Sequence, residues 1–290
     1  MHRSSMQQLL VRLAHRESGA FGLFGPEHVG KRGLAEGFAR EALGLSAQEA
    51  LFTHPDAVIL DAAQDGKVEE IRTLLERAHQ TAARGGKRVF FVDHADALNA
   101  SGYNALLKDI EEPRSGVLFF FVASREAALP ATVRSRLVPL RVGLASREEL
   151  LILARERGID ERWADQALGR PGLLLRRAQD PAWWEGITQA ATTIDVALRD
   201  RRAGALIAAL DTWQKTIEKH EYPAQQWRIL LLLLMQAATQ RGGDVVGYAY
   251  VQAWRLLEGS ALPPRVGMEF VLATLLQGEP VRDIFSRSRV

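Results

Sequence analysis

The 290-residue chain contains no cysteine. That single absence removes disulfides, thiolate zinc sites and cysteine nucleophiles together, and it fits a reducing compartment. A charge excess of either sign is missing as well. The 37 Lys and Arg stand against 35 Asp and Glu, a net of +2, so no global field holds nucleic acid and any DNA contact must be local. The seven histidines are scattered, with none paired one helical turn apart as metal ligands would be, and no metal site is expected. Long apolar runs are absent too. The most apolar run, Ile229 to Met235, lies between Arg228 and Gln236 and falls far short of the ~20 residues that cross a bilayer. The start, Met1-His2-Arg3-Ser4-Ser5-Met6 followed by Gln7-Gln8, has no apolar signal-peptide core. The expectation is a cytoplasmic protein without a membrane partner. What remains is an ordinary globular composition, 47% hydrophobic and 25% charged, long enough for two or three domains at roughly 150 residues or fewer each.

The first half alternates apolar runs with helical patterns. Ala20 to Phe24 reads as a strand, then a glycine-rich turn, then a helix from Lys31 to Leu43 with apolar residues at Leu34, Phe38 and Leu43. Ala57 to Leu60 is a second strand. Val68, Ile71, Leu74, Leu75 and Ala78 repeat at helical spacing within Val68 to Ala83. Val89 to Val92 and Val117 to Val122 are β-rich without alternation, as parallel strands covered on both faces are. This order predicts an α/β fold with a parallel sheet over residues 1–143. Beyond it, Ser146-Arg147-Glu148-Glu149 predicts a capping box, and Gly158 and Gly169-Arg170-Pro171-Gly172 divide 144–180 into short helices, a small lid-sized domain. Residues 181–290 read as an all-α domain, with apolar faces in 187–198, 206–217, 227–238 and 245–257, separated by Tyr222-Pro223, Gly242-Gly243 and Leu262-Pro263-Pro264. Trp183, Trp184, Trp213, Trp227 and Trp254 stand at helical spacing among apolar residues and read as packing rather than base-stacking residues. Arg199, Arg201 and Arg202 read as a solvated helix end.

The sharpest local signal is Gly25-Pro26-Glu27-His28-Val29-Gly30-Lys31-Arg32, a G-x-x-x-x-G-K pattern where a strand turns into a helix. Such a loop aims backbone N–H groups and a helix N-terminus at phosphates, and its lysine reaches the β and γ oxygens. The Ser or Thr that would hold Mg²⁺ is replaced by Arg32, which cannot ligate a cation and repels one. Asp93 ends an apolar strand where an acid orients Mg²⁺ in P-loop ATPases, or else simply caps the next turn. His94 follows, in the place of the carboxylate that polarises the attacking water. Two substitutions at two catalytic positions point the same way.

Asn104-Ala105-Leu106-Leu107-Lys108-Asp109-Ile110-Glu111-Glu112-Pro113 closely resembles the N-A-L-L-K-x-L-E-E-P segment of bacterial clamp loaders, and Leu129-Pro130-Ala131-Thr132-Val133-Arg134-Ser135-Arg136-Leu137 resembles their L-P-T-I-x-S-R-C segment. With the phosphate loop, His54-Pro55-Asp56 and Asp93, these motifs run in family order through roughly the first 140 residues. The chain therefore resembles the delta-prime family of DNA polymerase III clamp-loader subunits, which are AAA+ proteins. The resemblance implies an AAA+ P-loop domain, a helical lid and an all-α collar that assembles the ring. It also implies gamma/tau motor and delta subunits as partners in a heteropentamer, with the sliding clamp and primed DNA reached through the complex. Arg136 would be an arginine finger acting on a neighbour's nucleotide. Gly25, Gly30, Lys31, Arg32 and Asp93 would form a degenerate nucleotide site with weak ATP or ADP binding and no required cofactor. The family's cysteine-rich zinc module has no counterpart in the short stretch from Leu43 to Thr53, so zinc is not expected. Arg170 falls near the family's second sensor arginine, where a plain helix-breaking turn reads equally well. Ser124 stands where the family often has Thr or Asn. The alternatives are an ATP-hydrolysing motor subunit, against which Arg32 and His94 argue, and an adaptor with no loader partner.

Overall fold

The structure, a computed structural model, describes residues 3–46, 49–63, 68–79, 82–83, 86–220, 223–242, 250 and 265. Two compact units divide the chain, 1–178 and 179–290. The first contains α1 (Arg3–Ala14), β1 (Gly19–Phe24), α2 (Lys31–Leu43), β2 (Ala57–Asp61), α3 (Val68–His79), β3 (Arg88–Asp93), α4 (Ala100–Glu111), β4 (Val117–Ala123), α5 (Ala131–Arg134), β5 (Val138–Arg141), α6 (Arg147–Arg157) and α7 (Pro171–Gln179). The strands form one sheet in the order β2-β3-β4-β1-β5, every pair parallel.

Burial explains the strand sequences. Side chains alternate across a strand, and here both faces are covered. Phe21, Leu23, Phe91, Phe120 and Val122 pack under α1 and α2, while Ala20, Phe24, Phe90, Val92, Phe119 and Phe121 pack under α3 and α4. Phe38 of α2 sits 3.9 Å, centroid to centroid, from Phe120, which stacks at 5.1 Å on Phe21 of β1. Each buried phenylalanine contributes about 1.5–3 kcal/mol, so this trio holds the body of α2 against β1 and β4. β5 escapes the sequence reading because it is an edge strand with only Leu140 buried. Pro139 is tolerated there since no outer neighbour needs its missing N–H.

The helix ends follow their chemistry. Asn99 Oδ1 accepts the Gly102 N–H at 2.8 Å to start α4, and Ser146 with Glu149 forms the expected reciprocal capping box on α6. Of the stretch 144–180 read from sequence as a small lid, residues up to 178 cluster with the sheet in the first unit. They nevertheless enclose a small core of Leu150, Ala154, Ala164, Ala167 and Leu174.

The second unit contains α8 (Pro181–Arg199), α9 (Ala203–Ile217) and α10 (Pro223–Gln240). Trp183, Trp184, Trp213 and Trp227 are all buried, and the Trp183 Nε1–H donates to Gln226 at 3.0 Å. Trp254 and, apart from Tyr250, the helix expected at 245–257 lie outside the described residues, as do the separators after Gly242. Buried Asp195 accepts hydrogen bonds from Arg199, Arg241 and Tyr250 at 3.0–3.1 Å. Arg199 is therefore paired within its own unit. Among the described residues, no helix is long and apolar enough to cross a membrane.

His54-Pro55-Asp56 sits at the end of the sheet where the strands begin. Asp56 accepts the Ala83 N–H at 2.7 Å and pairs with Arg88 at 2.9 Å, with side chains only 2% and 6% exposed. Removing one partner of a buried pair leaves an uncompensated charge, typically costing 3–5 kcal/mol. Asp56→Ala is therefore expected to lower the free energy of unfolding by about 3 kcal/mol or more in urea titration; a loss under about 1 kcal/mol would show that water solvates Arg88 instead.

Candidate functional site

Between Phe24 and Lys31 the chain must turn from a buried strand into a buried helix within six residues. Gly25 passes so close to the end of the edge strand that a Cβ would fall 2.0 Å from the Val142 carbonyl oxygen. Gly30 is left-handed at φ 91° and leads into α2, whose first N–H groups have no partner within the helix. His28 is also left-handed, at φ 61°. A non-glycine residue holds that conformation at a cost of about 1–2 kcal/mol only where its surroundings fix it. One such fixture is α7: the Gly172 N–H donates to the His28 carbonyl at 2.8 Å. A Cβ on Gly172 would stand 2.9 Å from that oxygen and 3.2 Å from His28 Cα, so α7 rests directly on the loop.

The charged groups of the loop are engaged with their own chain. The Lys31 ammonium, 7% exposed, donates to the Gly25 and Pro26 carbonyls at 2.6 and 2.7 Å. Burial pulls its pKa from 10.5 down to about 8, against the raising influence of Glu27, Asp96 and Asp93. His28 Nε2 is buried without a partner. Burial, reinforced by Arg176, Arg170 and Lys31, lowers the His28 pKa to about 4, so the ring is neutral at physiological pH.

Arg32 spans the position where a metal-holding hydroxyl would lie. Its Nε donates to Glu36 at 3.0 Å and its Nη1 to Asp93 Oδ2 at 3.3 Å. Asp93 Oδ1 accepts the His94 N–H at 2.9 Å, and the register pairs Asp93 with Asp61 across β3 and β2. The left-handed His94, φ 48°, lies with Nδ1 2.9 Å from Asp61 Oδ1. Beside it the Ser124 N–H donates to Asp96 at 3.3 Å. Gly25, Gly30, Lys31, Arg32 and Asp93 are thus brought together as the motif spacing predicts.

The fit to Mg-nucleotide is partial. Glycines and a helix N-terminus suit a phosphate. Mg²⁺ does not fit, because it demands near-octahedral oxygen ligands and the Asp93 carboxylate is paired with the Arg32 guanidinium. Arg170 is 8% exposed and its Nη1 donates to the Leu168 carbonyl at 2.9 Å. Gly172, which has no side chain, makes the contact with the loop.

Arg136 lies elsewhere. Its Nη1 donates to the Thr132 carbonyl at 2.7 Å and its Nη2 pairs with Glu111 at 3.0 Å. α4 ends at Glu111 and leads to the start of β4, while Arg136 lies two residues before the start of β5. In a parallel sheet both belong to the end opposite the phosphate loop.

Residues 3–144 match the family described as DNA polymerase III, delta subunit. A Pseudomonas aeruginosa DNA polymerase III subunit delta' is 34% identical over 151 residues, covering 45% of this chain and 46% of that protein. Residues 3–144 are thus similar to the corresponding part of DNA polymerase III delta' subunits. A DNA polymerase III subunit gamma/tau from Mycobacterium tuberculosis is 39% identical over 102 residues, covering 34% of this chain and 18% of that protein. The chain thus spans less than half the length of these curated relatives. A Thermotoga maritima DNA polymerase III gamma subunit-related protein of solved structure superposes with a TM-score of 0.58 at 16% identity. It covers 94% of this chain and 99% of its own, a likeness of fold.

Asp61 and Gly172 complete the loop region around His28, and only the tertiary structure brings those two there. Gly172→Ala is expected to cost about 1–3 kcal/mol, as overpacking against rigid backbone does. Gly186→Ala, in α8 with nothing within 4 Å of the new methyl, should be neutral or stabilising by up to about 1 kcal/mol. Equal effects at the two sites in thermal unfolding would contradict the close contact.

His28 also makes stability depend on pH. Its folded pKa, about 4, lies below the usual 6.5. As pH falls through this window the unfolded chain takes up a proton that the folded chain refuses, so stability drops and the full cost is reached below about 4. His28→Asn, which tolerates positive φ, should flatten the fall in unfolding free energy between pH about 6.5 and about 4. An unchanged slope would mean that other groups carry it.

Proposed function

We propose that the chain is a delta-prime-type subunit of a DNA polymerase III clamp loader, a non-hydrolysing member of the ring that supplies Arg136 to nucleotide held by a neighbour. The observation that carries this reading is the Arg32 guanidinium on Asp93, a permanent cation where a hydrolysing site needs Mg²⁺. His94, held at Asp61, stands in place of a water-polarising carboxylate. The kinship with delta' and gamma/tau subunits of DNA polymerase III supports a place beside gamma/tau and delta chains in a heteropentamer. In that complex the sliding clamp would be loaded onto primed DNA. The chain then belongs to a DNA-directed DNA polymerase holoenzyme without an ATPase of its own. It requires no nucleotide, metal or zinc, and any ATP or ADP binds weakly. Residues 181–290, whose described part buries Trp183, Trp184, Trp213 and Trp227, would serve as the oligomerising collar.

Arg136 fits the trans role by position. It is placed at the end of the sheet away from Lys31, with its side chain 30% exposed. A planar charged donor brought to a transferring phosphoryl accelerates its release by roughly 10³-fold or more.

The isolated chain is expected to turn over ATP at background, with no change in Lys31→Ala. In the assembled complex Arg136→Ala should leave assembly intact and slow turnover at the adjoining site by roughly 10³-fold, read by single-turnover phosphate release. Steady hydrolysis by the isolated chain that Lys31→Ala abolishes would favour the motor reading instead.

A further inference from the structure

The guanidinium of Arg136 is held in one direction before any neighbour arrives. The Thr132 carbonyl, one turn back, takes an N–H of Nη1 at 2.7 Å, and Glu111 at the last residue of α4 takes one of Nη2 at 3.0 Å. Nε is buried with no acceptor. The second N–H of each terminal nitrogen has no acceptor among the described residues. Those two donors of the planar guanidinium suit a doubly accepting group such as a phosphoryl of nucleotide held by another chain.

Energetics indicate what the pairing does. Glu111 is 55% exposed and Arg136 30%, and ion pairs so exposed contribute little to stability. A free arginine side chain, by contrast, must give up much of its rotamer freedom when it docks. Prior ordering removes that cost from the docking step.

We infer that Glu111 is a positioning residue for Arg136, pre-orienting its guanidinium toward the nucleotide of the adjoining subunit. The inference rests on the trans role proposed above for Arg136. Because Glu111 acts through Arg136 and touches no nucleotide itself, its loss affects the rate of phosphoryl transfer and leaves nucleotide affinity as it was. The Glu111→Gln substitution retains an Oε1 acceptor for Nη2, whereas Glu111→Ala retains none.

The test is a double-mutant cycle in the fully assembled complex, read as kcat and KM for ATP. Glu111→Ala is expected to lower kcat several-fold with KM unchanged, and Glu111→Gln to restore most of it. In the Arg136→Ala background, Glu111→Ala should have no further effect. The isolated variants should melt as the parent does, since the pair is exposed. If Arg136→Ala alone leaves kcat unchanged, the trans role fails and this inference with it. If Arg136→Ala lowers kcat but Glu111→Ala does not, or if Glu111→Ala acts equally in both backgrounds, the trans role stands and the positioning role is overturned. A rise in kcat on Glu111→Ala would likewise overturn it, since Glu111 would then be withholding the guanidinium.

Discussion

The turn from β1 into α2 is held between two rigid bodies. The phenylalanine trio Phe21, Phe38 and Phe120 locks the helix onto the sheet, and Val142 leaves Gly25 no room for a side chain. The loop must therefore run where it does whether or not it holds a ligand. Its exposed dipoles and its buried lysine still need partners, because an unpaired buried donor or charge costs several kcal/mol. In this chain the partners are internal: the Gly25 and Pro26 carbonyls for Lys31, Asp93 and Glu36 for Arg32, and the Gly172 N–H for His28. A scaffold shaped for phosphate thus becomes a set of contacts joining β1, α2, β3 and α7.

The two ends of the same sheet diverge in consequence. At the strands' C-terminal ends, Arg32 and Asp93 neutralise each other, and His94 is held by Asp61. At the opposite end the Arg136 guanidinium retains donors without an acceptor among the described residues. A subunit with this asymmetry gives to a neighbour's site more than it does at its own, which is the physical content of the role proposed for it.

Much of the sheet was legible because parallel strands covered on both faces read as continuous apolar runs, and four of the five did. The phosphate loop was legible because its glycines, lysine and following helix are contiguous. β5 was not, since an edge strand with one buried residue and a proline carries no such run. The acid that holds His94 was hidden for a different reason: Asp61 is 33 residues away, and only the register of β2 with β3 brings it alongside. Gly172 likewise reads as a turn breaker until α7 is laid on the loop. Arg170, which the local pattern reads equally as a second sensor or as a plain turn, donates to the nearby Leu168 carbonyl. Arg136 was singled out by its motif, but its partner Glu111 looked like one more surface acid.

The account turns on whether Arg32 excludes a divalent cation from the loop. Calorimetric titration of the purified chain with ATP, in Mg²⁺ and in EDTA, tests this most directly. The account predicts the same weak affinity in both, a Kd of about 1 mM or weaker, equivalent to no more than about 4 kcal/mol. Binding that tightens by about tenfold or more when Mg²⁺ is present would contradict it, because the cation would then have displaced Arg32 from Asp93.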